Sequence, residues 1–332
     1  MNIRAEKRKN VWVQSTALAL MVILTGFIVS CAQVAGTGRG TGEKTPAHRD
    51  ETVRPPQVTG AVTLTFTGTY GDSAGIFSPW GISFGVDGTL YVCDRDRSSI
   101  IRLDSEGNAL SRFSGYGSRV ERLYSPIDIC SSAGMSIYAV DSSNSRVLRF
   151  DRNLKNAFVM YRRDTSENRL FGSFSGLAFD KTTGDLYITD RDSSALIRID
   201  MLGHTIKSRG AFGTGRESLR EPAGLDVAGD GTILVADRGT GAVAVLDHFA
   251  AVIRHIGADA LEAPVDVASL PDGNVAVADR SGIVILTESG VPAGKAGYGE
   301  DRDMTPRSLA YREGKLYVSD GVSGAILVYD VE

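Results

Sequence analysis

Six aspartates recur along this chain at intervals of 47, 49, 47, 42 and 41 residues: Asp94, Asp141, Asp190, Asp237, Asp279 and Asp320. Carboxylates repeated so regularly could hold metal ions or move protons, so their chemistry comes first. Each closes a short β-prone run: YVCD, YAVD, YITD, LVAD, AVAD or YVSD. A carboxylate at a strand end also accepts hydrogen bonds from N–H groups of the turn that follows. Six copies of one such cap are expected to serve the fold. An arginine follows the aspartate in four cases, Arg95, Arg191, Arg238 and Arg280. Guanidinium groups converging from several repeats would hold carboxylate, phosphate or sulfate through bidentate contacts. The competing reading pairs each arginine with a nearby acid such as Asp96 or Asp192.

Asp128 and Asp266 stand at one and the same early position in the second and fifth repeats. Facing each other across a ring, with Asp226 as a further ligand, they would share a hard cation such as calcium. The alternative is that each satisfies local backbone groups. Zinc chemistry has little support. Apart from His48, the histidines are His204 and His248, in turns, and His255, in an outer strand, so they should not converge on one ion. Two strings fit Gly-x-Ser-x-Gly, Gly71-Asp72-Ser73-Ala74-Gly75 and Gly81-Ile82-Ser83-Phe84-Gly85, but neither lies between a strand and a helix as that nucleophile motif requires, and there is no metal-binding cysteine cluster.

The elements that must position these residues follow from the repeat itself. Each aspartate is preceded by 14 to 16 residues that open on a strand start such as Pro79-Trp80-Gly81-Ile82 or Pro126-Ile127-Asp128-Ile129. Hairpin turns lie between, at Asp87-Gly88, Gly184-Asp185, Asp230-Gly231, Asp272-Gly273 and Glu313-Gly314. A third strand follows each aspartate (IIRLD, VLRFD, LIRID and their counterparts), and then a more variable fourth. Four strands per repeat make a propeller blade, so the expected fold is all-β, a six-bladed β-propeller. The last repeat stops just after its third strand, while Ala61–Gly68 is a strand with no repeat before it. That N-terminal strand is expected to close the ring as the outermost strand of blade six, leaving no open edge.

The pattern Pro-x-Gly-Ile, Asp-Gly, Tyr-Val-x-Asp, Ile-x-x-φ-Asp resembles the NHL repeat family, over roughly Ala61 to Glu332. The resemblance implies four-stranded NHL-like blades and, for an exported member, an attachment or sensor module presenting a rigid ring to a protein or glycan. A competing class on similar propellers is the calcium-dependent hydrolase or lyase of the gluconolactonase and paraoxonase kind.

The first thirty residues read as a targeting segment. Arg4, Lys7, Arg8 and Lys9 precede an apolar stretch from Val11 to Val29, which ends in Ile28-Val29-Ser30-Cys31. That ending resembles a bacterial lipobox, with Cys31 as the lipidated mature N-terminus. The alternative is an uncleaved membrane anchor, since about 20 apolar residues span a bilayer. Residues 31–58 are rich in Gly, Thr, Pro and charge and read as a flexible tether, and residues 59–332 form the propeller. Without residues 1–30 the chain carries 32 basic and 39 acidic residues, a net charge of −7 that speaks against nucleic acid. Cys93 and Cys130 are expected to be separate core thiols, the alternative being a disulfide between them in an oxidising compartment. The expected function is therefore a lipid-anchored binding or scaffold propeller of the cell envelope. It would be extracytoplasmic and engage a protein, peptide or anionic glycan at the channel mouth. No cofactor is required, and calcium belongs only to the enzymatic alternative.

Overall fold

A computed structural model of the chain describes residues 62–114, 122–162, 173–209, 218–296 and 303–332. The expected targeting segment, the expected tether and Cys31 lie outside the described residues, as do the arginines of the blade-connecting loops, Arg119, Arg163, Arg169 and Arg216, the acids of the same loops, Glu121, Asp164, Glu167 and Glu217, and Asn168. Six four-stranded antiparallel sheets form the six blades of a β-propeller. The inner strands are Pro79–Phe84, Pro126–Ser131, Phe174–Phe179, Pro222–Val227, Asp266–Ser269 and Pro306–Arg312, for blades one to six. All inner strands run in one sense, from an entry face to a turn face. The repeated aspartates and the arginines after them sit at the entry face. Hairpins between first and second strands and between third and outer strands sit at the turn face.

The second strands read as continuous apolar runs because both of their faces are covered. In blade one, Leu90 and Val92 pack in a cluster with blade six, whereas Tyr91 and Cys93 pack in a cluster with blade two. The period of two along a strand thus sends alternate residues into the two neighbouring interfaces. One apolar cluster fills each of the six interfaces. This also explains the thiols. Cys93 belongs to the interface of blades one and two and Cys130 to that of blades two and three, and both are free and buried.

Blade six is closed by the N-terminal strand, with the order Leu64–Tyr70, Ile326–Val331, Lys315–Asp320, Pro306–Arg312. The closing strand lies a little later than the expected Ala61–Gly68. Its register, Leu64 opposite Val331 and Tyr70 opposite Ile326, is carried past Gly68 by a bulge. Phe66 meets Tyr329 edge-on across the seam, with ring centroids 5.6 Å apart. Thr63 and Glu332 exchange two backbone hydrogen bonds, of 2.8 and 3.1 Å, so the chain enters the propeller at the turn face.

Candidate functional site: an arginine-bearing channel mouth

The six repeated aspartates are fully buried or nearly so, and they act as clips. Asp94 accepts the N–H groups of Phe77 and Ser78 at 3.1 and 3.0 Å, just ahead of the inner strand of its own blade. Asp237 does the same for Arg220 and Glu221, and Asp279 for Glu262 and Ala263. Bonds to the following turn occur too, as from Ser193 to Asp190 and Ser281 to Asp279. The sequence reading anticipated the turn contacts only. The longer clip, reaching about one strand pair upstream, ties the entry of the inner strand to the end of the second.

This clip also places the arginines. The N–H of Arg95 donates to Ser78 O at 3.0 Å, that of Arg191 to Ser173 O at 3.1 Å, and that of Arg238 to Glu221 O at 3.1 Å. Each of these three arginines is thereby pinned beside the point where its inner strand starts toward the channel. Neutralisation by neighbouring acids is weak. Arg95 stands 4.0 Å from Asp96, with both side chains about half exposed, and donates to Ser125 Oγ. Arg191 reaches Ser173 Oγ at 3.5 Å. Arg238 and Arg280 are exposed and have no ion pair among the described residues.

Two residues that sequence reasoning did not single out complete the mouth. Trp80 and Arg307 occupy the second position of the inner strands of blades one and six. The guanidinium carbons of Arg95 and Arg307 lie 4.6 and 4.7 Å from the centroid of the Trp80 ring. Blade six has Gly321 where four other blades have the arginine, and the gap is used: a Cβ at Gly321 would meet Arg307 Nε at 2.7 Å. Arg307 Nε is buried and has no hydrogen-bond partner. Burial and the charges of Arg95 and Arg238 push Arg307 below the usual arginine value, against the opposing pull of Asp320 and Asp96. It stays charged at neutral pH. The signal was present in the sequence as an arginine in a column of Trp, Ile, Ser, Ala and Val, coupled to a missing one at Gly321. Blade two departs differently. Its Arg146 is buried against Asp141 at 3.0 Å and donates to Arg122 O, so that charge is absorbed by the fold.

Below the mouth, Asp128 and Asp266 serve as staples between inner strands. Inner strands are sheet edges with spare N–H groups. Asp128 Oδ1 accepts from Ile129 N–H at 2.8 Å and Oδ2 from Leu177 N–H of blade three at 2.6 Å. Asp266 Oδ2 accepts from Leu309 N–H of blade six at 2.8 Å. Asp226 accepts from Val227 N–H and, across the interface, from Ser269 N–H and Oγ. The channel beneath is a cavity of about 420 Å³ that reaches the turn face at Lys181, Thr182 and Gly229. A calcium ion takes six to eight oxygen ligands. These carboxylates already serve main-chain donors, and no group of three His, Cys, Asp or Glu suited to a metal exists among the described residues. His204 and His248 lie in turn-face turns and His255 in an outer strand, so they do not converge.

Burial, reinforced by the charge of Asp266, raises Asp128 well above the usual carboxylate range, and burial pushes Asp266 up to about 7. A carboxyl whose folded value lies above its unfolded value binds more protons when folded, so stability falls as pH rises between about 4 and 7. The expected slope is on the order of 1 kcal/mol per pH unit from Asp266. Denaturant midpoints should therefore be higher at pH 5 than at pH 8. Asp266→Asn, which keeps an acceptor for Leu309, should flatten the difference; an equally steep profile in that variant would assign it elsewhere.

No family model matches the sequence, and no curated protein does. Solved structures share the fold. A gluconolactonase from Xanthomonas campestris is 14% identical, with 85% of this chain and 96% of that one covered and a TM-score of 0.63. Virginiamycin B lyase from Staphylococcus aureus is 12% identical, covering 82% and 89%, at 0.56. The PQQ-bound aldose sugar dehydrogenase from Streptomyces coelicolor is 17% identical, covering 83% and 100%, at 0.56. At such identities the likeness establishes the propeller and leaves the chemistry to the site itself.

Proposed function

We propose that this chain is a lipid-anchored, extracytoplasmic binding propeller of NHL-like repeats. Its arginine-bearing mouth engages an anionic group on an envelope protein, peptide or glycan. One observation carries the reading: Arg95 and Arg307 share the Trp80 ring while Arg307 Nε, buried, has no partner. A buried donor left unmade costs about 1–3 kcal/mol, and a shift of the Arg307 side chain that lets an oxyanion at the mouth reach it would recover that cost. Arg238 and Arg280, without an ion pair among the described residues, supply further charge on the same face. The enzymatic alternative needs a calcium site, and the inner carboxylates are bound up as strand staples.

Two experiments test the two halves. Intact-mass analysis of the protein from membranes should show residues 1–30 gone and Cys31 carrying the lipid; an intact Met1 with an unmodified thiol rules out the lipoprotein. Immobilised dextran sulfate or polyglutamate should retain the propeller, and neutral dextran should not. Replacing Arg95, Arg191, Arg238 and Arg280 together with alanine should abolish retention, and undiminished retention would place the binding surface elsewhere.

A further inference from the structure

The turn face carries apolar side chains that the fold does not use. The turns between third and outer strands of blades one to four share one conformation, in which an aspartate accepts the N–H groups two and four residues on. Asp104 does so for Glu106 and Asn108, Asp151 for Asn153 and Lys155, Asp200 for Leu202 and His204, and Asp247 for Phe249 and Ala251. The tip residue is polar in blades one and two, Glu106 and Asn153, and apolar in blades three and four, Leu202 and Phe249. Leu202 is 76% exposed and Phe249 58%, so neither is needed for the core. The inner hairpins of blades one and two add Val86 and Met135, also more than half exposed.

These residues stand on the turn face of four consecutive blades, one to four, and make up an arc. Val86 and Met135 line one crevice. Arg152 touches Met135 Sδ at 3.5 Å, and Tyr138 of blade two reaches Met201 Sδ, next to Leu202, at 3.7 Å. Exposed Arg152, Lys155 and Lys181 stand on the same face. Isolated exposed apolar residues are ordinary, whereas a run along one face marks a contact surface.

We propose that this arc is a lipid-contacting surface, with Val86, Met135, Leu202 and Phe249 seated in the headgroup region of the membrane that holds the anchor. The choice of a membrane rests on where the chain arrives. Thr63 and Val62 bond to Glu332 and Ala293 at the turn face, so the segment running back toward Cys31 leaves the propeller on the face that carries the arc. Apolar tips flanked by cations suit such an interface, entering about 5–10 Å to the boundary of headgroups and acyl chains. The arginine mouth, on the opposite face, then points away from the bilayer toward its partner. This orientation takes the anchor from the proposed function.

The test uses the full protein purified from membranes and reconstituted in phosphatidylethanolamine and phosphatidylglycerol vesicles. Single variants Leu202→Cys, Phe249→Cys and, on the entry face, Val322→Cys are labelled with a polarity-sensitive fluorophore; Cys93 and Cys130 are buried. Quenching by spin-labelled lipid and a blue shift are expected at 202 and 249 and not at 322. Equal, weak quenching at all three positions, in protein that floats with the vesicles, overturns the surface and leaves the anchor standing. Protein that does not float overturns both. Energy transfer between labels at 202 that grows with protein density at constant lipid assigns the arc to a second copy and also overturns the proposal.

Discussion

Deleting residues 61–70 should lower the melting temperature by at least about 10 °C, equivalent to several kcal/mol in a domain of this size. The strand Leu64–Tyr70 is paired along its length with Ile326–Val331, and Leu64 packs on the cluster between blades five and six. Val62 also donates to Ala293 O in blade five, so the segment stitches two blades. Removing it turns Ile326–Val331 into an open edge, which invites pairing with another chain. Concentration-dependent aggregation should therefore accompany the lower melt. An unchanged melting curve would show that the ring does not depend on this closure.

Gly224→Ala should cost about 3 kcal/mol or more, at the upper end of what overpacking does, because nothing around it can move cheaply. A Cβ at Gly224 would lie 2.0 Å from Asp266 Oδ1 and 2.8 Å from Asp266 Cα. The Gly224 N–H is meanwhile held to Val265 O at 2.8 Å, and Asp266 is held to Leu309. Relief would require two inner strands to part, with their interface cluster behind them. Gly229→Ala is the control, since a Cβ there meets nothing within 4 Å. A denaturant midpoint for Gly224→Ala equal to that control would mean the inner strands pack more loosely than described.

Blade count, four-strand blades and the closure at blade six were legible in the sequence, since each rests on a local signal repeated several times. Runs such as YVCD and YITD are apolar on both faces because both faces meet a blade, and that pattern needs no tertiary information. The site was legible only in part. Arg95, Arg191, Arg238 and Arg280 follow a repeated mark, so the repeat locates them on one face. Arg307 and Trp80 depart from the repeat, and their meeting depends on blade six closing against blade one, a contact across 227 residues of chain. The roles of Asp128 and Asp266 were legible in part: the expected local bond exists, from Ile129 to Asp128, whereas the N–H groups of Leu177 and Leu309 that they also cap belong to the next blade.

Trp80 makes the central claim directly measurable. The sequence has two tryptophans, Trp12 and Trp80, and Trp12 falls within the first thirty residues, which the proposed function removes, so a protein that begins at Cys31 reports from the mouth alone. Tryptophan fluorescence of the mature protein, titrated with dextran sulfate and with polyglutamate, should change saturably, while neutral dextran leaves it unchanged. Arg307→Met should weaken the response about 10-fold or more, the loss of one charge-assisted contact. A flat titration, or a saturable one that Arg307→Met leaves intact, would contradict anion binding at the arginine mouth.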